Sequence, residues 1–263
     1  MHWPEALTAM IARLESISSV EGAFLSGSLV NEHRDEFSDI DLGLATKNSA
    51  RAFDGTFALR HELIAAVGQP IHSLERGWGH CKMMAALFGK SRFPPIGLEI
   101  DIIFSRLRHV SEQMPYAKYR VVFDRRGRLQ SALAGISPSK PRQEIEAEII
   151  QHLQWFPFHV HDALKACQRN DVFQAQSVLE EMRKLIIFAA ATRQGEPGYG
   201  SKRADRYLST TERQILEASY RRSDENTVAR LTQWYLECVT ALPSNYRIRD
   251  KVENHKTALQ DLL

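Results

Sequence analysis

Cysteine is scarce in this chain, long apolar runs are missing, and charge of either sign is barely in excess. The three cysteines, Cys81, Cys167 and Cys238, are an odd number at wide spacing with no CxxC pair. That argues against a disulfide framework or a zinc ribbon and for reduced thiols in the interior. No apolar run approaches the roughly 20 residues that span a bilayer, so no membrane partner is expected. The opening segment MHWPEALTAMIARLES has no basic stretch followed by an apolar core and a small-residue cleavage site, so no export signal is expected and a cytoplasmic location is. A formal net charge of +2 offers no global electrostatic case for a long nucleic acid, and a small substrate fits it better. Internal repeats and low-complexity tracts are also missing.

What the chain does have is the composition of a soluble globular protein, 43% hydrophobic and 25% charged over 263 residues, enough for two domains of ordinary size. Residues 5–17 space their apolar positions as an amphipathic helix does, and VEGAFLSG reads as a short buried strand ending in a tight Gly-Ser turn. A helix is expected to begin over 28–34, and DIDLGLA is a second strand. SARAFDGTFALRHELIAAVG reads as one helix stopped by Gly68 and Pro70, and IHSLE as a strand. IGLEIDIIFS is the best strand downstream, and YRVVFDRRGRL looks like a strand running into a charged turn before another strand. From SPSKPRQEIEAEII onward the periodicity turns helical, with helices expected near 142–169, 171–193, 210–221, 225–241 and 250–262. The expected class is α+β, divided into residues 1–138 and 139–263.

The chemistry concentrates in acids. Asp39 and Asp41 stand two apart in the alternating segment SDIDLGLA, so a strand aims both carboxylates at one face about 6 to 7 Å apart. LEIDIIF repeats the arrangement with Glu99 and Asp101. If the two strands are neighbours, the carboxylates converge, and like charges so placed call for a cation between them. Hard oxygen ligands select Mg²⁺ or Mn²⁺ over zinc, and Mg²⁺ completes its shell with water and substrate phosphate. Upstream, the Gly27-Ser28 turn leaving a strand offers backbone N–H groups and a hydroxyl suited to phosphate oxygens.

Gly27-Ser28, ten residues, then Asp39-Ile40-Asp41-Leu42, with later acids on a separate strand, resembles the signature of the DNA polymerase beta-like nucleotidyltransferase superfamily over roughly residues 20–105. Followed by a helical half, the chain looks like the bacterial aminoglycoside and lincosamide nucleotidyltransferases. The resemblance implies a catalytic domain built on a mixed twisted sheet flanked by helices, and an α-helical bundle that binds substrate and nucleotide. It implies transfer of AMP, or another nucleoside monophosphate, from ATP as co-substrate to a hydroxyl of a small acceptor such as an aminoglycoside-like antibiotic, with pyrophosphate released. Two Mg²⁺ ions would be held by Asp39, Asp41 and Asp101, with Glu99 as general base. The reverse division of labour between Glu99 and Asp101 stays open. Gly27 and Ser28 would hold the triphosphate, and Lys202, in the SK segment of YGSKRADRYL, would touch nucleotide phosphates. Two other readings share the machinery: a nucleotidyltransferase of antitoxin type that modifies a protein, and a relative that binds nucleotide without turnover. The nucleotide preference, the acceptor and the oligomeric state stay open.

Other residues invite blander readings. His152, His159 and His161 accompany Trp155, Phe156 and Phe158 in one expected helix, where packing is favoured over a metal or stacking site because Pro157 should break the register. His72, His80 and Cys81 could be drawn as a zinc set, but a fourth ligand is missing.

Overall fold

A computed structural model of the protein describes residues 2–30, 35, 37–113, 118–137, 139–195 and 204–263. The chain forms two compact units, Met1–Ser139 and Lys140–Leu263, the division falling within SPSKPR. The class is mixed α+β with a six-stranded mixed sheet.

In the first unit α1 (Trp3–Glu15) starts with a proline in its first turn and with the His2 N–H donating to Glu5 Oε2, and it buries Ala6, Leu7, Met10 and Leu14 along one stripe. There follow β1 (Val20–Leu25), a 3₁₀ turn (Gly27–Val30), β2 (Ile40–Thr46), α2 (Ala50–Ala58), α3 (Arg60–Ala65), β3 (His72–Trp78), β4 (Cys81–Phe88) and β5 (Leu98–Arg106). A second 3₁₀ segment (Leu107–Glu112), β6 (Arg120–Asp124) and α4 (Arg128–Leu133) complete it. The strand order is β3-β4-β5-β2-β1-β6, with β2 and β5 parallel and the other neighbours antiparallel.

Alternation along the strands sorts the two faces of this sheet. One face carries Ile40, Leu42, Leu44, Ile100, Ile102, Phe104, Met84 and Phe88, which share a core with α1 and with Leu63 and Ile64 of α3. On the other face a smaller core of Phe24, Ala45, Leu107, Val110, Leu129 and Leu133 gathers beside the 3₁₀ segment and α4. That core lies toward the C-terminal ends of β2 and β5. The N-terminal ends of these strands carry the acids.

CKMMAALF is strand β4, although Lys, Met and Ala favour helix; pairing with β3 on one side and β5 on the other overrides that local preference. Three expectations for this unit need correction. The helix expected over 49–68 is two, joined at Leu59, which ends α2 and starts α3 so that Leu63 and Ile64 turn inward. Of the helix expected over 28–34, residues 28–30 lie instead in the 3₁₀ turn Gly27–Val30, and 31–34 lie outside the described residues. DRRGRL leads into helix α4, not a strand, and within it Arg125 donates to the carbonyl oxygens of Val20 and Ile17, tying the turn to the start of β1 and the link before it.

The second unit is helical among its described residues: α5 (Arg142–Gln168), α6 (Val172–Arg193), a 3₁₀ turn (Ala204–Arg206), α7 (Thr210–Arg221), α8 (Glu225–Thr240) and α9 (Arg249–Leu262). Helix α5 runs through Pro157, against the expected break, and Leu153, Phe156 and Val160 keep their inward spacing across it. The proline removes one backbone hydrogen bond from the helix, which packs along α6. Leu153, Phe156, Leu179, Met182, Ile186, Trp234 and Tyr235 form the centre of its core. Among the described residues no helix is long and apolar enough to cross a membrane.

Candidate functional site

The parallel pairing of β2 with β5 sets Asp41 directly beside Asp101. Partners in a ladder share a face, so the two carboxylates point the same way. Continuing the register back by two residues brings Asp39 level with Glu99. Asp39, Asp41 and Asp101 are half-buried, and Glu99 is exposed. The four acids foreseen from SDID and LEID therefore form one patch.

The electrostatics agree with the geometry. Burial pushes the Asp101 carboxyl up to about 6 from 3.8, and the charges of Glu99, Asp41 and Asp39 add to the rise, with Arg76 acting in the opposite direction. Asp101 Oδ1 is buried without a hydrogen-bond partner among the described residues. A carboxylate oxygen so placed, in a patch of like charge, is what a hard divalent cation satisfies.

Gly27 closes the site from the β1 side. The Ser26 N–H donates to the Asp41 carbonyl at 3.0 Å, which holds the turn against β2. Gly27 has φ +64°, and a Cβ placed on it would lie 1.9 Å from Asp41 Oδ2. Only a glycine lets the backbone come this close to the carboxylate. Ser28 is half-buried in the same 3₁₀ turn, and the Ser26 hydroxyl oxygen is buried without a partner among the described residues. The donor set is thus carboxylate and hydroxyl oxygen around an open backbone turn, a fit to Mg²⁺ and phosphate and not to a thiophilic ion.

Sequence reasoning passed over Ser26 and Arg76. Arg76 reaches the acids from β3 through the registers Arg76↔Met83 and Met83↔Ile103, a neighbourhood visible only once the sheet order is known. Lys202, expected at the nucleotide phosphates, lies outside the described residues, as does Arg203. Cys81 and Cys238 are buried, as the sequence reading expected of the thiols, whereas Cys167 is only half-buried.

The histidines fall elsewhere. His152 meets the Phe188 ring edge-on at 4.7 Å, and burial lowers its pKa, so the packing reading of α5 holds for it. His161 stands 3.6 Å from Asp162 at the surface. The drawn set of His72, His80 and Cys81 does not assemble: His72 pairs with Leu87 at the far end of β3, while His80 meets His109 and Glu112. The chain matches no protein-family model and no curated protein.

Proposed function

We propose that the acidic patch is the metal-binding centre of a nucleotidyltransferase that moves a nucleoside monophosphate, AMP from ATP in the first instance, onto a hydroxyl of a small acceptor of the aminoglycoside type. The observation that carries this reading is the direct pairing of Asp41 with Asp101 beside the Gly27 backbone. Asp39, Asp41 and Asp101 would hold Mg²⁺, which supplies charge neutralisation at the phosphate under attack. Gly27 and Ser28 present backbone and hydroxyl groups to the phosphates from the adjoining turn. Glu99, the exposed member of the set, faces solvent two residues before Asp101 and is suited to take the proton of the incoming hydroxyl. The acceptor oxygen bonds to the α-phosphorus, the bond to pyrophosphate breaks, and the proton passes to Glu99.

The test is pyrophosphate release from ATP with Mg²⁺ and a panel of hydroxylated acceptors, aminoglycosides included. Asp41→Asn is expected to lower turnover by at least about 100-fold, since it removes one of the ligands on which charge stabilisation depends. Equal turnover by the two proteins would sink the assignment.

A further inference from the structure

We infer that His80, His109 and Glu112 form a second metal site, for a borderline divalent ion of the zinc class, separate from the acidic patch. The three side chains each offer a ligand atom within 4.8 Å of the others. His80 Nδ1 lies 3.0 Å from both Glu112 oxygens, and His109 Nδ1 lies 2.8 Å from Glu112 Oε1. The two imidazoles are stacked at 3.8 Å between centroids, 14° from parallel, so both Nδ1 atoms face the same carboxylate. Two histidines and one glutamate are the donors that Zn²⁺ takes when it keeps an open fourth position. Mg²⁺, which prefers oxygen, is poorly served by them.

Hydrogen bonds between side chains and backbone already hold the site in shape. The His80 N–H donates to Glu112 Oε2 at 3.2 Å, and Trp78 Nε1 donates to the Glu112 carbonyl at 3.3 Å. Gly79 between them has φ +50°, and a Cβ there would sit 3.0 Å from Glu112 Oε2, so glycine lets the turn close over the carboxylate. These contacts join the β3–β4 turn to the end of the 3₁₀ segment after β5. The turn lies four ladder positions from the Ala85↔Asp101 pair, about 13 Å along the sheet. An ion here would fasten the edge hairpin to the body of the unit, independently of the proposed transferase chemistry.

One neighbour competes with the ion. Arg108 Nε donates to His109 Nε2 at 2.9 Å, which leaves the His109 proton on Nδ1, pointing at Glu112. An ion at Nδ1 moves that proton to Nε2, where it opposes the Arg108 donor, so the exposed Arg108 side chain must swing away. Removing the arginine should therefore tighten binding. A purely structural cluster predicts no such gain.

The experiment uses the full-length chain freed of metal with a chelator, titrated with Zn²⁺ by calorimetry and with Co²⁺ by visible absorption. Wild type is expected to bind one equivalent with the intense visible bands of four-coordinate Co²⁺, and Asp41→Asn to do the same. His109→Asn and Glu112→Gln are expected to weaken binding by about 100-fold or more, and Arg108→Gln to strengthen it several-fold, with far-UV circular dichroism checking that each variant is folded. Wild type that takes up no Co²⁺ in this form overturns the site. So does uptake that persists in His109→Asn and Glu112→Gln, or that Arg108→Gln fails to improve.

Discussion

At the scale of single residues the acidic patch lowers the stability of the fold at neutral pH. The folded chain holds the Asp101 proton more tightly than the unfolded chain, so this carboxyl's contribution is complete below pH 3.8 and lost as pH rises through about 6. Asp101→Asn should remove that dependence and, in chelator at pH 7.5, raise stability by about 1 to 2 kcal/mol, the full difference being reduced because the group is only half-buried. Urea denaturation of both proteins across pH 4 to 8 checks it; Mg²⁺ should then stabilise wild type and leave the variant unchanged. Gly27→Ala acts on the same patch differently. The added methyl would meet Asp41 Oδ2 at 1.9 Å in a left-handed backbone, so the carboxylate must move. The expected cost is about 1 to 2 kcal/mol of stability with loss of Mg²⁺-dependent stabilisation, read by thermal shift with and without the ion. These residues were legible in the sequence because strand alternation and the Gly-Ser turn are local signals. Arg76, Ser26 and the meeting of His80 with His109 and Glu112 were not, because each depends on which strands become neighbours.

At the scale of elements, the helices of the second unit could be read to within a residue or two because their caps and apolar periods are local. Helix α7 shows this: Ser209 and Glu212 form a reciprocal cap spelled out in STTE. The rest of Glu212's role was invisible. Its Oε1 accepts from Arg193 at 2.9 Å and from Trp234 Nε1 at 3.1 Å, so one side chain caps α7 and links it to α6 and α8. Glu212→Ala should leave the Trp234 and Ser209 N–H groups without their partner and cost about 2 to 4 kcal/mol, whereas Glu212→Gln, which keeps an acceptor, should cost less. Chemical denaturation followed by far-UV circular dichroism separates the two; equal losses would mean that helix propensity alone governs the site. Strand β4 is the opposite case. Its lysine, methionines and alanines carry no strand signal, and only the ladders on both sides make it a strand.

At the scale of the whole molecule, each unit carries its own apolar centre, so neither depends on the other for a place to bury its hydrophobic side chains. In the helical unit the Phe156 ring stacks on Tyr235 at 3.8 Å with both residues fully enclosed, joining α5 to α8. The part after Ser139, 124 residues, is long enough to bury such a core by itself. Residues 140–263 expressed alone are therefore expected to be helical by circular dichroism and to melt in one cooperative transition. Phe156→Ala in that fragment removes the ring from a site packed on all sides and should cost about 3 to 5 kcal/mol, a large share of the roughly 5 to 15 kcal/mol that holds an ordinary domain folded. A fragment that is helical but melts without a sigmoidal transition, and that Phe156→Ala leaves unchanged, would show that its core forms only in the intact chain. The two compact units would then be one cooperative system in which the sheet carrying the acids and the helices after it fold together.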